Sequence, residues 1–335
     1  MTGVVAGLAR LGLGVGWFAT RAGDHGPLLV LGVFAVVVAQ ERAAVLGSRW
    51  ALAAPLGSAS AAIAILAGWS VGPSIAVTSN ALMVATNLAI ARWRPSRVAW
   101  QLLAGSVLLL SGTARWASGD PVAEVVPAWT GFFVLTITAE RARLSRHSAD
   151  GVWTWRLLDA LAAALVVSVA ARLFGVRAAG HALGISMAGL AVWQMRYDVA
   201  RDAADMAAYP RYMAMGVRAG TFWLLVAGGL LAVVDPPPGG PLYDAILHAV
   251  FVGFVLSTGF AHALNVVPVL AGGHVPFSPL FYAPLFLLHA TLVVRLGGDL
   301  AGALWLRQIG GVGNALAIAL FAVVMASAAL RRAPD

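Results

Sequence analysis

Apolar residues run along this chain in blocks of about twenty, separated by short polar clusters. The blocks fall at 3–20, 27–46, 50–69, 72–92, 97–115, 121–142, 154–174, 178–198, 212–234, 241–268, 277–297 and 301–330. An α-helix rises about 1.5 Å per residue, so each block covers the roughly 30 Å hydrocarbon core of a bilayer. The pattern predicts an all-α integral membrane protein of twelve transmembrane helices with short loops and no soluble domain. Arg10 and several glycines make the first block the weakest.

Within these blocks one string recurs. It reads GVFAVVVAQE ending at Glu41, GFFVLTITAE ending at Glu140 and GFVLSTGFAH ending at His262. A second string follows each copy: SNALMVA at Asn80, GHALGIS at His181 and GNALAIA at Asn314. The two markers are separated by 39, 41 and 52 residues. This predicts three repeats of four helices, at about 1–95, 96–205 and 206–335. Four helices return the chain to its starting side, so the three units are parallel and related by a pseudo-threefold axis.

Composition agrees with the block pattern. The chain is 60% hydrophobic and 11% charged, against about 25% charged residues in soluble domains. Its net charge of +8 comes from arginines at block ends, which points to membrane topology and away from nucleic acid. Arg49, Arg92, Arg94, Arg97, Arg143, Arg146, Arg201 and Arg211 fall after blocks 2, 4, 6 and 8, and Arg331 and Arg332 close the chain. The positive-inside rule then places both termini in the cytoplasm of a bacterium, with the blocks in its inner membrane. The lipid bilayer is the first partner. With no cysteine, thiolate metal sites and iron–sulfur clusters are excluded. A metal or haem would need His, Met, Tyr, carboxylate or backbone ligands.

Histidine is rare in lipid and usually faces a bundle interior. Block 10 carries two, His248 and His262, fourteen residues apart. On a regular α-helix they lie about 40° apart in azimuth and about 21 Å apart along the axis. Each is a cofactor ligand or a hydrogen-bond donor to a nearby carbonyl. His289 sits mid-block and must find a partner on another helix or coordinate a cofactor. His181 replaces the marker Asn and fills a structural position or a ligand position. His25 matches His248 in depth, so the two could hold one metal or haem between blocks 2 and 10. The repeat sets Glu41, Glu140 and His262 at one level, as a metal or proton-relay set or as helix ends anchored by Glu41–Arg42 and Glu140–Arg141 ion pairs. Arg218 and Arg307 face propionates or anions, or pair within the bundle.

The segment from Leu247 to Leu300 resembles the C-terminal part of the NnrS family, through Leu247-His248-Ala249, Val252-Gly253, Gly273-His274 and Arg295-Leu296. NnrS proteins have twelve spans, are associated with nitric-oxide metabolism and hold haem and copper. The resemblance implies haem b or copper at His248, brings His274 into play as a second ligand, and implies a role in nitric-oxide response or electron transfer with respiratory or denitrification subunits as partners. The architecture also resembles the catalytic subunit of haem–copper oxidases, whose ligands lie on helices 2, 6, 7 and 10. Here blocks 2, 6 and 7 have no interior histidine, which argues against an oxygen-reducing copper site. No catalytic constellation is visible. The competing class is a transporter, channel or structural subunit whose histidines are proton relays or core hydrogen bonders. Only the third repeat has histidine at both positions, His248 and His262; the earlier units have Pro27 and Val126 where His248 stands.

Overall fold

In the computed structural model, residues 1–14, 16–145, 151–176, 178–271 and 275–330 are described, and among them there is no strand. The long helices are α1 (Thr2–Leu13), α2 (Ala22–Leu46), α3 (Arg49–Ala67), α4 (Gly72–Trp93), α5 (Arg97–Ala117), α6 (Val122–Leu144), α7 (Val152–Leu173), α8 (Ala179–Tyr197), α9 (Ala208–Val233), α10 (241–271), α11 (Pro279–Leu300) and α12 (Leu304–Leu330). Eight of them, α2, α3, α4, α6, α9, α10, α11 and α12, are long and apolar enough to cross a membrane.

The first block departs from expectation. In place of a helix over 3–20, α1 stops at Leu13 and a single turn follows at Trp17–Thr20. Gly12 and Gly16 adopt positive φ, +77° and +56°, which breaks the helix. Twelve residues span only about 18 Å, short of a bilayer core.

Three helices contain π-helical stretches: Ala9–Leu13 in α1, Val30–Phe34 in α2 and Ala249–Leu256 in α10. The last one interrupts α10 between its two histidines. The azimuth expected for a regular α-helix therefore fails, because the wider π turn rotates everything beyond it.

The marker-bearing helices α2, α6 and α10 meet one another. Phe34 packs edge-on against Phe133 at 5.6 Å, and Phe133 against Phe251 at 5.9 Å. α6 is the central member, with Trp129, Phe132, Phe133 and Leu135 almost completely buried. The second marker ties helices laterally. Asn80 donates to Thr113 Oγ1 of α5, His181 Nδ1 to the Ala232 carbonyl of α9, and Asn314 to Leu288 O and Thr291 Oγ1 of α11. Of the tryptophans at block ends, Trp50, Trp69, Trp93 and Trp153 are exposed, whereas Trp116 packs against buried Trp129.

Candidate functional site

His25 and His248 come together at one end of the bundle. His25 starts the α-helical part of α2, and its Nδ1 donates to the Gly3 carbonyl of α1 at 2.7 Å. Gly7 makes this approach possible, since a Cβ there would lie 2.6 Å from the imidazole. On α10, His248 Nδ1 donates to the Asp244 carbonyl one turn earlier at 2.8 Å. A carbonyl only accepts, so both rings carry their proton on Nδ1 and present an unprotonated Nε2 when neutral. No hydrogen bond to a described residue uses either Nε2. The ring centres are 6.5 Å apart and the planes 10° from parallel. Two imidazoles bound to one ion at about 2.0–2.1 Å put their centres roughly 6–7 Å apart.

A charge network surrounds the pair. Asp244 accepts from Arg295 at 2.8 Å and from Arg307 at 3.4 Å, and its carboxylate lies 3.5 Å from His248 Nδ1. Arg307 also lies 2.5 Å from Asp299, a contact off the hydrogen-bond direction, so both Asp299 oxygens lack a directed hydrogen bond. Arg295 and Asp299 are buried. Two carboxylates offset two guanidiniums, which is how charges persist in a low dielectric. Arg295 reaches this place because α11 and α12 touch at Gly310, where a Cβ would stand 2.5 Å from the Arg295 backbone nitrogen.

The opposite end is built differently. His262 Nδ1 donates to the Thr258 carbonyl at 2.9 Å, the same one-turn bond as at His248, but its Nε2 faces Arg141 Nη1 at 3.4 Å. Arg141 is buried and bidentate on buried Asp198, at 2.7 and 2.5 Å. The Glu–Arg pairing differs from the one expected between sequence neighbours. Arg42 lies 2.8 Å from Glu140 and 4.0 Å from Glu41, Glu140 also takes Arg143, and Arg141 pairs with Asp198. Adjacent helical residues point about 100° apart, so ion pairs form one turn away or across helices. Guanidiniums thus stand among Glu41, Glu140 and His262. Among the described residues no group of three His, Asp or Glu side chains is placed to hold a metal. His248 is at the other end from Glu41 and Glu140, and His274 lies outside the described residues.

His289 has protein partners on both nitrogens. The Trp223 indole donates to its Nδ1 at 2.9 Å, so its Nε2 carries the proton and donates to Ser257 Oγ at 3.1 Å. Ser257 passes the chain to the Gly216 carbonyl. Gly253 allows this, because a Cβ there would overlap Trp223 at 2.5 Å. His181 is half-buried and bonds the α9 carbonyl described above.

The family model described as Domain of unknown function (DUF8744) matches residues 1–330. The chain belongs to that family. No curated protein and no solved structure matches it.

In this DUF8744 chain, the histidines are organised by Gly3, Asp244, Trp223 and Asp198, to which the sequence assigns no role, and by Arg295, which acts through Asp244. One local signal was available. Asp244 precedes His248 by four residues, the spacing that stacks side chains on one helical face. The others act between helices and depend on how those helices rotate.

Proposed function

We propose that this protein is a multi-pass membrane metalloprotein whose His25–His248 pair ligates one metal atom. The atom is the iron of haem b or a copper ion, and the role is in nitric-oxide response or electron transfer. The observation carrying this reading is the paired imidazoles, each with Nδ1 donated to a backbone carbonyl and Nε2 left over. That second bond fixes tautomer and ring orientation at metal-binding histidines. Neutral imidazole suits iron and copper alike.

In the same reading, the repeat units lie parallel in a bacterial inner membrane, with the arginine-rich loops and the C-terminus cytoplasmic. Respiratory or denitrification subunits are the partners that the NnrS resemblance suggests.

The absorption spectrum and metal content of the purified protein test the proposal. A Soret band, or stoichiometric copper, is expected. His25→Ala and His248→Ala should each weaken metal binding by roughly 100-fold or more, the upper range for losing even an outer-shell partner. Iron and copper both absent after reconstitution, or occupancy unchanged in both variants, overturns it.

A second reading draws on the Asp244–Arg295–Arg307–Asp299 network. Buried, mutually neutralised charges beside two imidazoles also suit a proton or ion pathway. Proton flux in liposomes that is lost in Asp244→Asn, with no bound metal, favours that alternative.

A further inference from the structure

A cleft of about 300 Å³ opens between α8 and α9 at the Arg141 end of the bundle. Its origin is in the helix contacts. Near their far ends the two helices touch backbone to backbone: a Cβ on Gly184 would lie 2.3 Å from Ala232 N, and one on Gly228 2.5 Å from Ala188 N. Towards the Arg141 end the facing residues are Gln194 and Met195 against Val217, Arg218 and Thr221. Helices that touch through glycine at one end and through full side chains at the other must diverge.

The cleft has the chemistry of a phospholipid site. Arg218, which also lines it, sends its guanidinium towards the Arg141 end, where Nη1 donates to the Arg201 carbonyl at 3.0 Å. Among the described residues no carboxylate lies within ion-pair distance of Arg218. Arg42, Arg141, Arg295 and Arg307 all have one. Arg201 adds a second cation, paired among the described residues with exposed Asp202 at 3.4 Å. The carboxylate of Asp198 also lines the cleft but is engaged by Arg141 and the Ala200 N–H. Gln194 is buried, donates to Thr138, and leaves its Oε1 without a hydrogen bond. At the rim, Met195 and Phe222 are exposed.

We infer that this cleft binds an anionic phospholipid whose phosphate sits on Arg218 and Arg201. A head-group hydroxyl donates to Gln194 Oε1, and an acyl chain lies along Phe222 and Met195. Guanidinium–phosphate bonds are charge-assisted and strengthen where water is excluded. The inference does not depend on the metal reading, since the two sites use different residues at opposite ends.

The test is lipid retention by the full-length protein in detergent, read by native mass spectrometry against phosphatidylglycerol, phosphatidylcholine and inorganic phosphate. Phosphatidylglycerol should be retained over phosphatidylcholine, and Arg218→Gln should cut its affinity by roughly tenfold, the scale of one charge-assisted hydrogen bond. Arg218 is exposed, so the variant should fold; circular dichroism checks this. Arg92→Gln, an exposed arginine outside the cleft, should change nothing. Equal retention of both lipids, no effect of Arg218→Gln, or an equal loss in Arg92→Gln overturns the site. Inorganic phosphate competing as well as the lipid overturns the lipid assignment and leaves a soluble-anion site in its place.

Discussion

His248 and His262 sit on one helix, each with Nδ1 bonded to the carbonyl four residues earlier. Locally they are the same device. What separates them is the group that meets Nε2. His262 faces the Arg141 guanidinium, which uses the imidazole as one more acceptor around a buried ion pair. His248 faces a second imidazole, His25, and keeps its Nε2. Intramembrane histidine is therefore not one signal but two, told apart only by the neighbouring helix. α6 brings an arginine; α2 brings a histidine.

The largest effect should come from breaking the ion pair that occupies His262. Arg141→Ala leaves Asp198 buried without its cation, and such a loss costs about 3–5 kcal/mol. Chemical unfolding in detergent should show it. A change below about 1 kcal/mol would mean that water reaches Asp198 through the neighbouring cleft and that His262 does not meet a buried ion pair.

Next comes the support of the His248 end. Gly310→Ala puts a methyl group against the Arg295 backbone, where only a shift of α11 relieves the overlap. Overpacking of this kind costs about 1–3 kcal/mol. Because Arg295 holds Asp244, metal binding by the His25–His248 pair should weaken together with stability. Full stability and unchanged binding would show that the network does not position the pair.

Much of this architecture is legible in the apolar blocks. The eleven helices from α2 to α12 fall within a few residues of the blocks that predict them, because length and apolarity are properties of the sequence itself. α1 fell short because positive-φ glycines stop a helix without altering its hydropathy. The pairing of His25 with His248 was visible as matched depth on two helices. The π stretch of α10, the Arg141–Asp198 pair and the Trp223–His289 bond were not. They depend on helix rotation and on where glycine lets backbones approach, and apolar periodicity is nearly silent on both.

His262→Ala separates the two histidines directly. It removes one weak contact to Arg141 and a one-turn backbone bond, a cost of about 1 kcal/mol. Metal content should be unaffected, in contrast to His248→Ala. Loss of metal from the His262 variant would move the candidate centre to the Arg141 end and reverse the comparison.

The smallest effect lies at the edge of that same end. Arg143 pairs with Glu140 one turn earlier, and about half of the Arg143 side chain is exposed. Glu140 has a second cation in Arg42, whose side chain is only 8% exposed, so the carboxylate stays compensated when Arg143 is removed. Exposed pairs of this spacing contribute about 0.3–0.5 kcal/mol and weaken with salt. Arg143→Ala should therefore shift unfolding by no more than that, and high salt should erase the difference. A shift of 2 kcal/mol or more would place Arg143 inside the buried ion-pair network and extend that network outward by a helical turn.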